Sequence, residues 1–210
     1  TKKFTTSQLT ILGLMAGILF LMAYTPLGYL NIGPLAVTFN VIPVAVCAIV
    51  LGPTGGAIAG AVFGLTSFMQ AIGIGGVSAL GSALFQINPF MTAVQCFGPR
   101  ILDGICIGFI YRAVHKKANT YVSCAVTGFF SAFLNTLFFM TALIVMFGNT
   151  ELIRNLMGGH NIIVGCCLMV GVNAISEMVS STIITAAVGT ALSKAHLIPA
   201  VQIVKTDTAA

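Results

Sequence analysis

The sequence has no tryptophan and few ionisable groups: four acidic residues, nine lysines and arginines and three histidines among 210. Charged residues make up 6% of the chain, against about 25% in a soluble domain, which excludes water as its main solvent. No GxxxxGK[ST] run occurs, so the chain lacks the phosphate-binding loop needed to hydrolyse ATP. No GxSxG elbow or other nucleophile motif is present. His115, His160 and His196 are not spaced as metal ligands. The sequence therefore predicts no enzyme, no cofactor and no metal site. The six cysteines, Cys47, Cys96, Cys106, Cys124, Cys166 and Cys167, form no CxxC pair and fall in apolar runs. They read as small buried hydrophobes rather than a disulfide or zinc framework. The basic residues form no stripe interleaved with aromatics, which rejects nucleic acid as a partner.

What is present is apolar: 58% of residues are hydrophobic and the mean hydropathy is +1.05. That length and composition suit an all-α membrane protein with about six spans of roughly 20 residues each. The spans are predicted at about 7–24, 35–51, 54–71, 90–114, 121–147 and 162–193. Pro43 is expected to kink the second span or start its regular part, and Gly52-Pro53 to turn tightly into the third. The third is crowded with small residues, including Gly56, Gly60 and Gly64, which let helix backbones approach closely in lipid. The stretch from Ile72 to Pro89, GIGGVSALGSALFQINP from Gly73 onward, is too rich in Gly and Ser for a span and too apolar for a solvated linker. It is predicted to be a long extracellular loop folded on the bundle as a lid between helices three and four. Lys2 and Lys3 precede an apolar stretch as in a signal peptide, but no small-x-small cleavage site follows, so a retained first helix is expected.

Charge fixes the predicted orientation. Six spans with both termini cytoplasmic place Lys2, Lys3, Arg112, Lys116, Lys117, Lys194 and Lys205 inside and only Arg154 outside. That is the positive-inside bias of a multi-pass protein of the prokaryotic plasma membrane.

Ionic and amide side chains are expensive within a span. Arg100, Asp103 and Glu177 are retained there, with Asn135 and Asn173. Gln86 and Asn88 fall in the expected lid and Gln95 near the start of the fourth span. Arg100 offers a permanently charged planar fork suited to a carboxylate. Two readings stand: pairing with Asp103 or Glu177, or contact with an anionic ligand, with Asp103 orienting the guanidinium in a combination of the two. Asn173 and Glu177, four apart, share a helix face and serve either helix–helix hydrogen bonding or a ligand. Arg100, Asn135, Asn173, Glu177, Gln86, Asn88 and Gln95 are the candidate substrate-binding residues of a small pocket under the lid.

Two segments carry a resemblance. VIPVAVCAIVLGPTGGAIAGAVFGLTS, Val41 to Ser67, and FGPRILDGICIGFIYR, Phe97 to Arg112, are similar to the second, third and fourth helices of the substrate-binding (S) components of energy-coupling factor (ECF) vitamin transporters. The resemblance covers nearly the whole chain. It implies a subunit that captures a B-group vitamin from outside, docks on a separate membrane subunit driven by two ATPase subunits, and topples in the bilayer to release its cargo. The family's docking face carries an AxxxA-like motif on the first helix; here Gly13, Ala16 and Gly17 stand in its place, a small-xxx-small variant. The PR motif at Pro99-Arg100 looks most like the pantothenate branch. An arginine among apolar residues suits that vitamin's carboxylate, with Asn135 and Asn173 for its amide and hydroxyls. Few aromatics among the pocket candidates argue against the flat rings of a flavin or thiamine; riboflavin or a thiamine-precursor pyrimidine is the alternative cargo.

Two other classes are weighed. A stand-alone ion-coupled secondary transporter would use Asp103 and Glu177 as carriers, but such proteins show repeated halves and broken helices, and no repeat is apparent. An intramembrane enzyme has no acid–base or nucleophile constellation to support it.

Overall fold

The computed structural model describes residues 5–25, 29–31, 36–76, 78–156 and 162–198. Lys2, Lys3, Lys205 and His160 lie outside the described residues. The elements are α1 (Thr6–Ala23), β1 (Tyr29–Asn31), β2 (Ala36–Thr38), α2 (Val41–Ala71), α3 (Ala79–Ile87), α4 (Pro89–His115), α5 (Thr120–Phe147), α6 (Glu151–Leu156) and α7 (Ile162–Lys194). Among the described residues, five helices are long and apolar enough to cross a membrane: α1, α2, α4, α5 and, over Asn173–Lys194, α7.

Helix α2 is the axis of the bundle. It is 78% buried over its most apolar window, against 11% for α1, which lies at the periphery. Pro43 sits in the first turn of α2, where its missing N–H leaves no bond unmade. Gly52 breaks the helix at φ 74 and ψ −162, a conformation open to glycine, and Pro53 follows. The expected Gly52-Pro53 turn therefore divides α2 into two legs, Val41–Leu51 and Pro53–Ala71. The first leg starts later than the span expected from residue 35, because 36–38 form β2. That strand pairs antiparallel with β1 in the register Tyr29↔Thr38, Leu30↔Val37 and Asn31↔Ala36.

The second leg of α2 packs on α4 through glycine. A Cβ on Gly56 would strike the Gly104 carbonyl, and one on Gly104 the Gly56 carbonyl. One turn along, Gly60 meets the Arg100 carbonyl, and Gly64 lies against that of Cys96. Spacing of four on α2 keeps these contacts on one face.

The expected lid differs from a loop. Residues 72–76 turn through Gly73, Gly75 and Gly76, all at positive φ, but α3 follows. The Gly81 amide donates to Ser78 Oγ at 3.2 Å and caps its start. Gly81 and Ser82 lower the local helix propensity, which hides the helix from the sequence. Burial supplies what propensity lacks: Leu80 and Leu84 pack with Met140, Leu143, Phe147 and Ile153. Ile153 belongs to α6, between the spans expected at 121–147 and 162–193.

Candidate substrate-binding cavity

The ends of the long helices enclose a cavity of about 680 Å³ beneath α3, within the range of small-molecule sites. It lies at the end opposite Gly52, Arg112, Lys116, Lys117 and Lys194, since α1 and α2 reach it at their C-terminal ends and α4 at its N-terminal end.

Arg100 lines this cavity although it is only 8% exposed. Pro99 has no N–H, so the Gln95 carbonyl four residues earlier lacks its helical donor. Arg100 Nη1 donates to that carbonyl at 3.3 Å and to the Cys96 carbonyl at 3.0 Å. Its Nη2 donates to Ser67 Oγ at 3.0 Å. The guanidinium carbon lies 4.6 Å from the Phe63 ring centre and 5.3 Å from that of Phe139, so two aromatics hold the cation. Its hydrogen-bond partners are backbone and a serine, not Asp103 or Glu177. Asp103 is buried one turn below, outside the cavity lining, with no partner for Oδ1 among the described residues. The cation thus meets the cavity without a bonded carboxylate, the arrangement in which an anion from outside gains most.

Opposite elements contribute neutral and acidic groups. Asn135 on α5 and Asn173 and Glu177 on α7 line the cavity, all buried. Asn135 Oδ1 has no partner among the described residues. Glu177 Oε1 accepts from the Thr38 amide at 2.6 Å. Glu177 thereby ties α7 to the end of β2. Gln95 lines the cavity and donates from Nε2 to the Phe139 carbonyl at 2.8 Å, tying α4 to α5.

Five of the seven expected binding residues therefore meet at one cavity. The other two do not reach it. Gln86 is exposed on α3, and Asn88 is the N-cap of α4, its Oδ1 accepting from the Met91 amide at 3.1 Å. The sequence also missed participants. Phe63 and Ser67, four apart on α2, both contact Arg100. Gln70, which lines the cavity, donates to the Ala23 carbonyl at 2.6 Å and fastens α1 to α2. The expectation of few aromatics is corrected: Tyr24, Phe63 and Phe139 all line the cavity. Apolar runs gave no sign of which ring faces inward.

Residues 7–189 match the family described as ECF transporter, substrate-specific component. The chain belongs to that family. Family membership makes it a transporter component rather than an enzyme, and its apolar helices fit a multi-pass place in the plasma membrane. Among curated proteins it is similar to the Pantothenate transporter PanT of Leuconostoc mesenteroides subsp. mesenteroides, 33% identical over 178 residues and 81% of each chain. It is also similar to the Pantothenic acid transporter PanT of Lactococcus lactis subsp. cremoris, 28% identical over 208 residues, 93% of this chain and 98% of that one.

Proposed function

We propose that the chain captures pantothenate outside the cell and delivers it with a separate ECF membrane subunit and two ATPase subunits. The observation that carries the substrate is Arg100, a cation at the cavity whose bonded partners include no carboxylate. Pantothenate supplies the missing anion, and its amide and hydroxyls suit Asn135, Asn173 and Glu177. Both named relatives are pantothenate transporters. The Phe63 and Phe139 faces are occupied by the guanidinium, which disfavours a flat ring that needs them for stacking.

The topology we infer has six crossings, counting the two legs of α2 separately, with both ends cytoplasmic. Arg112, Lys116, Lys117 and Lys194 then face the cytoplasm, and the cavity faces outward with α3 as its cover. A cysteine placed at Lys116 is expected to react with a membrane-impermeant maleimide only in inverted vesicles, and one at Gln86 in intact cells. The opposite labelling pattern inverts the topology.

Gly13, Ala16 and Gly17 form the proposed docking stripe for the membrane subunit. Among the described residues a Cβ on Gly13 or Gly17 would meet nothing within 4 Å, so the stripe is uncovered by them. Calorimetry on the purified protein tests capture, and pantothenate uptake with and without the ATPase subunits tests the division of labour. In the same assays Gly13→Leu should keep affinity within about twofold, because nothing it touches reaches the cavity, and should lower uptake severalfold. Uptake without ATPase subunits, abolished by a protonophore, would instead make the chain an ion-coupled transporter.

A further inference from the structure

Pro99 stands in mid-helix, where proline is costly, one residue before the cation of the cavity. Its ring crowds the carbonyl of residue i−4, Gln95, and its missing hydrogen leaves that carbonyl without a helical donor. The donor that fills the gap is Arg100 Nη1, at 3.3 Å. We propose that Pro99 is a positioning residue, one that hands the Gln95 carbonyl to the Arg100 guanidinium and so aims the cation at the cavity.

Geometry gives the device its logic. An arginine stem carries many rotamers, and each must be lost before a carboxylate can be held in register. Here the guanidinium is folded back along its own helix by the Gln95 and Cys96 carbonyls, and crossed to α2 by Ser67. The Phe63 and Phe139 rings limit its remaining swing. With alanine at 99, an axial N–H would take the Gln95 carbonyl in the ordinary helical way. The guanidinium would keep the Cys96 carbonyl, share the Gln95 carbonyl with that N–H and so be held there more weakly, and ligand binding would have to supply the lost order.

The inference rests on the reading that Arg100 meets the vitamin's carboxylate, and two measurements separate the two claims. The first is calorimetric titration with pantothenate and with panthenol, in which an alcohol replaces the carboxylate. Pro99→Ala should lower affinity for the acid about fivefold and change that for the alcohol less than about twofold. Ser67→Ala, which removes the tie to α2, should narrow the same ratio. Equal losses for both compounds would make Pro99 merely structural. The second needs no ligand: melting temperatures of Pro99→Ala, Arg100→Gln and the double variant. Pro99→Ala should raise the melting point more in the Arg100→Gln background, where nothing else fills the freed carbonyl. Additive changes overturn the proposal. If the unsubstituted protein binds neither compound, the substrate reading fails while the melting cycle still decides the role of Pro99.

Discussion

Arg100→Ala is expected to weaken pantothenate binding by roughly 100-fold, the loss of a desolvated, charge-assisted contact worth about 3 kcal/mol. In water an exposed arginine contributes far less, because solvent competes for the anion and screens the pair. Here the guanidinium is almost wholly buried, and its three bonds go to neutral oxygens. Those bonds fix its position without neutralising its charge. Removing the side chain also removes the cation between Phe63 and Phe139, so a small part of the effect is repacking. Arg100→Lys separates the terms. It retains charge but loses the planar fork that reaches Ser67 and two carbonyls at once, and should recover only part of the affinity. Titration calorimetry in detergent or nanodiscs reads both variants. Unchanged affinity in Arg100→Ala would reduce Arg100 to a brace for the α4 backbone.

The sequence disclosed the long helices and the cavity's charged residue for the same reason. Each is a departure from what lipid tolerates cheaply. Apolar runs of span length have no other stable home, and an arginine inside one needs a function or a partner. The Gly52-Pro53 break was legible because glycine is needed for φ 74 and proline cannot continue a helical ladder. Helix α3 was not legible, since its stability comes from Leu80 and Leu84 meeting residues some 60 positions away on α5 and α6. Nor was the tie between Glu177 and β2. Its carboxylate accepts a β2 amide from a position 139 residues distant, and no spacing rule reaches that far. The aromatic clamp was hidden for a related reason. One of the chain's 15 phenylalanines looks like any other, and only the tertiary contact singles out Phe63 and Phe139.

The glycine seam joins fold to site, and it carries the other large expected effect. Gly104→Leu should lower the melting temperature by about 6–12 °C, since overpacking costs up to about 3 kcal/mol and each kcal/mol shifts a chain of this size about 2–4 °C. The cost is at the upper end because the obstacle is backbone. A Cβ at 104 meets the carbonyl of Gly56, which has no rotamer to change, so α2 and α4 must separate. Gly56→Leu should behave alike for the reciprocal reason. Gly13→Leu, in open space on α1, is the control and should leave the melting point unmoved. Gly60→Ala then asks whether the seam also sets the site. The added methyl strikes the Arg100 carbonyl itself, beside Ile101 Cα. Displacing that peptide carries the guanidinium away from Ser67, its anchor on the same α2 leg. Affinity for pantothenate should therefore fall more than melting predicts, while affinity for panthenol falls less. A thermal shift assay run with and without each compound reads both quantities. Full pantothenate affinity in Gly60→Ala would show that Arg100 is held by its own helix alone, and that the seam serves only to keep two helices together.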